Sequence, residues 1–368
     1  MKKAAAVACF VLFGGLPLLA QLSTYDSRVE PPPHLFTWHD AYTGVEMWES
    51  AHAEIKGGFL GSVSIRDRAT ATITAGNLSS LEAREDAYVL VLGVEADRIA
   101  SRDRANIDLY GGHQSFLGQV LAGGTGTIRI HGGHYGWVLP WAGAGGRVEV
   151  YGGVIDTLSS VAMGEVVMNG GEADRLGAAE GGLAVLDSGT VRRIMSASGQ
   201  EATLVVAGGY PAEDIRLFGC ARLIVLHSGG TESDYVAYRL ADFDVAGATE
   251  YFAGKDVSVL LDDGYKRFVV SAWSNTSYLS DNVWRGRLDL VRIREEPQAF
   301  GLAGGWMLIG FLAPGDQVLQ LECSKDLADW QPWKAALPGD GNVHAEVFKT
   351  STEDRLFFRL RKWPKPSF

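Results

Sequence analysis

Cysteine is scarce in this 368-residue chain, which holds only Cys9, Cys220 and Cys323. No two of them have metal-ligand spacing, so a structural zinc site is excluded. Cys9 falls in an N-terminal apolar run, and nothing in the sequence pairs Cys220 with Cys323. Long apolar runs are also missing: beyond position 20 no stretch offers the ~18 uncharged apolar residues of a membrane-spanning helix. Positive charge is in deficit, with 33 Lys and Arg against 44 Asp and Glu and a formal charge of −11. Nucleic acid and anionic membrane surfaces need a basic footprint, so neither is expected as a partner. Gly-x-Ser-x-Gly and His-Glu-x-x-His do not occur, and no glycine pair runs into the Gly-Lys-Ser/Thr of a phosphate loop.

The first twenty residues have the composition of a secretory leader. Lys2 and Lys3 supply the positive start, residues 4–13 are apolar, Gly14, Gly15 and Pro17 break the run, and Ala20-Gln21 offers a cleavage point. The expectation is a leader over 1–20 and a mature chain that is secreted, extracellular or in a bacterial cell envelope, without a transmembrane segment.

Glycine is abundant, at 46 residues, and its placement is periodic. A strand followed by a glycine pair appears as Ile107-Asp-Leu-Tyr-Gly-Gly112, Ile128-Arg-Ile-His-Gly-Gly133, Val148-Glu-Val-Tyr-Gly-Gly153, Val166-Val-Met-Asn-Gly-Gly171, Leu204-Val-Val-Ala-Gly-Gly209 and Ile224-Val-Leu-His-Ser-Gly-Gly230. A unit recurring about every nineteen residues marks a solenoid. Its first part alternates with period two, as a half-buried strand does, and the glycines allow a tight corner. A later Leu or Ile (Leu81, Ile99, Leu117, Leu158, Leu176, Ile194) starts a second inward-pointing strand. Two strands and two corners in that length predict an all-β chain built on a right-handed parallel β-helix of about nine coils.

Stacking in register turns sequence columns into ladders. The outward column three before the glycines reads Asp108, Arg129 and Glu149, then Val167, Val185, Val205 and Val225. Opposite charges suit exposure, whereas stacked valines call for a cover, which the following chain can supply. The predicted organisation is a leader over 1–20, an N-terminal cap over 21–60, the β-helix over 61–232, a closing cap over 233–298 and a small β-sandwich over 299–368.

The last segment carries Ser324-Lys-Asp-Leu-Ala-Asp-Trp330 and, some thirty residues on, Phe357-Phe-Arg-Leu360. It resembles the small C-terminal β-sandwich module of secreted proteins from Verrucomicrobia and Planctomycetes. The repeats resemble autotransporter-like and other bacterial β-helix surface proteins. These resemblances imply an extracellular or envelope protein and give no substrate.

Sugar-cleaving β-helices need carboxylates converging across adjacent coils, or a base with calcium held by several carboxylates. The candidates Asp97, Asp103, Asp108, Glu149, Asp156, Glu172, Asp174 and Asp187 are not expected to form a run of acids in one column. The binding candidates lie at the glycine corner: Tyr110, His131 and Tyr151 just before it (with Asn169 and Asp187 continuing the column), His113, His134 and Tyr135 just after it, and Trp137 and Trp141 in the longest turn. Rings with hydrogen-bonding tips suit sugars, which have apolar faces and hydroxyl edges. Simple side-chain stacking explains the same columns. No metal or cofactor is expected. The leading expectation is a non-catalytic structural or adhesion protein that contacts extracellular polysaccharide or envelope components. The alternatives are a carbohydrate-active β-helix enzyme, lyase or hydrolase, and a solenoid that serves only as a spacer.

Overall fold

The computed structural model describes residues 41–113, 118–140, 145–199, 201–212, 214–218, 221–227, 296–302, 305–334, 336–349 and 356–364. It also describes shorter pieces at 23–26, 28, 34–36, 238–239, 249–253, 257–262, 267–273 and 285–293. The expected leader, Trp141, Leu117 and Cys220 lie outside the described residues. The protein is all-β, a parallel β-solenoid of about nine coils with small antiparallel sheets near its C-terminus. The chain divides into two compact units, residues 1–166 with 171–173, and 167–170 with 174–368.

In the first unit, His52, Thr70, Tyr88, Asn106, Thr127 and Arg147 stand side by side in consecutive parallel rungs. The base repeat is 18 residues, as between His52 and Thr70. Arg129 lies 21 residues beyond its partner Asp108. The surplus there falls between His113 and Gln119, and a later one between Pro140 and Arg147. The apparent period near nineteen is therefore an 18-residue coil with corner insertions. Parallel pairing also begins before residue 61, with Ser23–Asp26 and Ala41–Met47 hydrogen-bonded as rungs.

Strand alternation builds the core. Ile73, Val89, Val91, Ile107, Leu109, Ile128, Ile130, Val148 and Val150 are each fully buried from one sheet. Leu81, Ile99, Val120, Val138 and Leu158 stack from the other. One coil buries almost nothing alone, so each aliphatic contributes its ~1.5–3 kcal/mol only because neighbouring coils cover it. Val120 takes the place assigned to Leu117. Met195 takes that of Ile194, because Met195 is the residue paired with Ile215 and is fully buried.

The corner at Gly132-Gly133 shows why glycine is required there. Gly133 sits at φ +100°, and a Cβ on it would come within 2.8 Å of the Gly112 carbonyl oxygen. Both the conformation and the close approach of adjacent coils reject a side chain.

In the second unit, strands Leu183–Ser198, Thr203–Val206 and Arg222–His227 pair in parallel with one another as rungs. Arg285–Arg292 adds a further parallel strand beside Arg222–His227. The valine stripe is covered: Val167, Val185, Val205 and Ile224 share a buried cluster with Trp306, Leu308, Val343, Ala345 and Val347. Ile224, not Val225, belongs to this stripe, because Ile224 pairs with Val205 while Val225 pairs with Val206.

The cover is the antiparallel sheet of Gln298–Gly301, Trp306–Leu312 and Val343–Lys349. Its other face contributes Ile309, Phe311 and Phe348 to a second core. Leu321, Phe358 and Leu360 of the second antiparallel sheet close that core. The second sheet consists of Gln317–Ser324 paired with Gln331–Pro332, Leu337–Pro338 and Phe357–Pro364. Alternate residues of Trp306–Leu312 thus serve two cores, which is how a single strand ties a sandwich to the coils.

Candidate glycan-contact face

Three outward columns lie next to one another on the coils of the first unit. The middle column is the mixed ladder read from the sequence, with Arg129 in register between Asp108 and Glu149. Arg129 reaches Asp108 at 3.4 Å and Glu149 at 3.3 Å. The ladder extends beyond what the sequence suggested. Arg147 binds Glu149 through Nε at 2.7 Å and both oxygens of Glu165 at 2.8 Å. Glu165 is only 1 % exposed, so this is a buried ion pair rather than surface decoration. Tyr88 donates its hydroxyl proton to Asp108 at 2.7 Å, and Tyr151 donates to Glu149 at 3.1 Å. Burial, and then the Asp108 carboxylate, push the Tyr88 phenol up to about 12, so it serves as a donor and not as a base.

Tyr110, His131 and Tyr151 form a ring stack beside the ladder. Their centroids are 4.2 and 5.2 Å apart, and successive planes differ by 8° and 9°. This near-parallel stacking turns ring faces toward one another and leaves the edges outward. Tyr110 and Tyr151 are still 52 % and 41 % exposed, so the column offers solvent a row of ring edges and polar tips.

Past the glycine corner the remaining candidates separate. His134 is exposed, lies edge-on to His113 at 5.4 Å, and has Nε2 3.3 Å from Asp156. Trp137 is half exposed, with Gln119 and Thr157 as its register neighbours. Tyr135 is not a surface residue. It is 1 % exposed inside the coil, its hydroxyl donates to the Gly111 carbonyl at 2.9 Å, and burial raises its phenol well above the usual range. Glycan contact through Tyr135 is therefore corrected to a core role. Among the described residues no three His, Cys, Asp or Glu side chains come together in a way that could hold a metal ion.

Asp187 leaves the aromatic column altogether. In the second unit it lies buried, accepting the Ala345 N–H at 2.6 Å and contacting His344 Nδ1 at 2.9 Å.

One corner of the coils does carry a run of acids, of which Asp103 alone is among the candidates named from the sequence. Glu49, Asp67, Glu85 and Asp103 occupy the same corner of successive coils, at φ between 56° and 60°. The Asp67, Glu85 and Asp103 carboxylates each cap the coil before their own: Glu49 N–H donates to Asp67 at 2.9 Å, Asp67 N–H to Glu85 at 2.7 Å, and Glu85 N–H to Asp103 at 3.3 Å. The backbone hydrogen bond from Glu49 holds the Asp67 carboxyl below its ordinary value. These acids terminate turns and do not converge on a groove. Counting by 18 from Glu49 reveals them in the sequence.

No protein-family model, no curated protein and no solved structure matches the chain. Among the described residues no helix is long and apolar enough to cross a membrane.

Proposed function

We propose that this chain is a secreted or cell-surface, non-catalytic structural or adhesion protein that contacts glycans through the coil face carrying Tyr110, His131, Tyr151, His134 and Trp137. The observation that supports the non-catalytic reading is the engagement of the carboxylates. Asp108, Glu149 and Glu165 each meet an arginine of a neighbouring coil, and Asp108 and Glu149 also accept a tyrosine hydroxyl. Such acids hold coils in register. A general acid or nucleophile would need to be open to a substrate oxygen or carbon. Glycan contact is supported by the exposed Trp137 ring and by the polar ring edges of the stack, which suit hydroxyl groups.

The alternative is a carbohydrate-active enzyme. It draws on His131 Nε2 standing 3.9 Å from Asp108 next to the Tyr88 hydroxyl, a donor–acceptor grouping of the kind used in proton transfer. Purified protein incubated with plant, algal and bacterial polysaccharides separates the two. Retention without released reducing or unsaturated ends, weakened by Trp137→Ala, supports the first. Product release abolished by His131→Ala supports the second and overturns the first.

A further inference from the structure

The outer face of the second antiparallel sheet carries a row of side chains for which neither core accounts. Along Phe357–Pro364, Phe358 and Leu360 point into the core between the two sheets. Strand alternation therefore puts Phe357, Arg359, Arg361 and Trp363 together on the opposite face. In register across from them stand Ser324, Glu322, Gln320 and Val318. The row thus runs aromatic, cation, cation, aromatic.

A single carboxylate serves both cations. Arg359 Nε donates to Glu322 at 2.6 Å, and Arg361 lies 3.7 Å from the other oxygen. The Glu322 side chain is 7 % exposed, while Arg359 and Arg361 are 47 % and 66 % exposed. Arg359 uses only Nε, so its terminal amino groups have no hydrogen-bond partner among the described residues. Its guanidinium plane is held over Trp330 at 4.2 Å. Trp330 is itself fixed by its indole N–H to the Leu327 carbonyl at 3.1 Å, in a turn closed by Asp326. Arg361 lies 5.9 Å from the Trp363 ring. The result is one guanidinium fixed between Trp330 and a buried carboxylate, with a second, more exposed guanidinium beside it and rings at either end of the row.

We propose that this face binds a carboxylated polysaccharide, a polyuronate, with Arg359 and Arg361 clasping sugar carboxylates while Phe357 and Trp363 lie against sugar rings. The guanidinium fork matches a carboxylate through paired N–H donors, and its stacking on Trp330 removes much of the entropy cost of ordering it. Aromatic rings next to cations are enriched where binding energy concentrates. The site is separate from the coil face, so it stands or falls independently of that reading.

The test is affinity electrophoresis of the full chain through gels containing polygalacturonate, dextran sulfate or neutral dextran. The expected result is retardation by polygalacturonate and none by neutral dextran. Arg359→Gln with Arg361→Gln should weaken that retardation at least tenfold, while the same charge change made by Arg104→Gln with Arg216→Gln, at surface arginines outside both faces, should leave it unchanged. Arg359→Lys, which keeps the charge and loses the fork, should weaken it several-fold while the melting temperature stays native. Absence of retardation overturns the proposal. So does equal retardation of the double variant, or retardation by dextran sulfate alone.

Discussion

His344 is the group through which pH should control how firmly the C-terminal sheets hold their place in the second unit. Its ring is 6 % exposed, with Nδ1 2.9 Å from Asp187 on a coil and Nε2 3.1 Å from Asp340 in the preceding loop. Phe311 stacks on it at 5.9 Å. Burial alone would favour the neutral ring, but the two carboxylates outweigh that and raise the pKa from 6.5 to about 9. At about 1.36 kcal/mol per unit, the shift contributes about 3 kcal/mol. Because the folded value is the higher one, the contribution is complete below about pH 6.5 and disappears as pH rises through about 9.

The perturbation is His344→Gln, and the assay is urea unfolding of both chains at intervals from pH 6 to pH 10. The stability difference should be larger at pH 6 than at pH 10 by about 3 kcal/mol. A constant offset from lost packing is expected and is removed by the comparison. Nuclear magnetic resonance of the ring protons should give a midpoint near 9 in the native chain and a lower one in Asp187→Asn. A stability difference that stays flat from pH 6 to pH 10 would refute the reasoning.

Three further outcomes follow from the coils. Arg147→Met removes the cation that meets both oxygens of the buried Glu165 carboxylate and should cost about 3–5 kcal/mol in chemical denaturation, most of it recovered when Glu165→Met is added. Tyr135→Phe deletes only the hydrogen bond to Gly111 and should cost roughly 1 kcal/mol, whereas Tyr135→Ala should cost roughly 3–5 kcal/mol by thermal or urea unfolding. Gly133→Ala meets both a positive φ and the Gly112 carbonyl, while Gly181→Ala, at φ +82° with nothing within 4 Å of the added carbon, meets strain alone. The first should lower the melting temperature several-fold more than the second, whose cost is roughly 1–2 kcal/mol.

The coils were legible because glycine pairs, alternation and an aliphatic anchor repeat together. What the sequence blurred were single-residue offsets. One step of slip exchanges the inner and outer faces of a strand, and that is the difference between Val225 and Ile224, and between Ile194 and Met195. His134-Tyr-Gly-Trp137 shows the same limit: Tyr135 and Gly136 are both buried while the residues on either side face out, a departure from alternation that composition does not signal. The acidic corner was hidden by its conformation, since positive φ favours Gly or Asn and here Glu and Asp adopt it in exchange for capping hydrogen bonds. Asp187 and His344 are 157 residues apart, and no local pattern joins residues at that distance.

Where recognition can reside on such a chain depends on what stacking leaves unused. Parallel rungs place residue above residue at a spacing near 4.8 Å, close to the contact distance of aromatic rings. A column of similar side chains therefore satisfies itself: His131 lends both faces to Tyr110 and Tyr151, and Arg129 is shared between two acids. The same regularity that stabilises the coil removes ring faces and charge from what a ligand could use. The antiparallel sheet works differently, because it pairs unlike residues, Glu322 with Arg359 and Gln320 with Arg361. Two guanidinium groups then depend on one carboxylate, and hydrogen-bonding capacity is left over. What recognition can use is what pairing leaves over: on the coil face the polar ring edges and the Trp137 ring, on the antiparallel sheet the unfilled donors of the arginines.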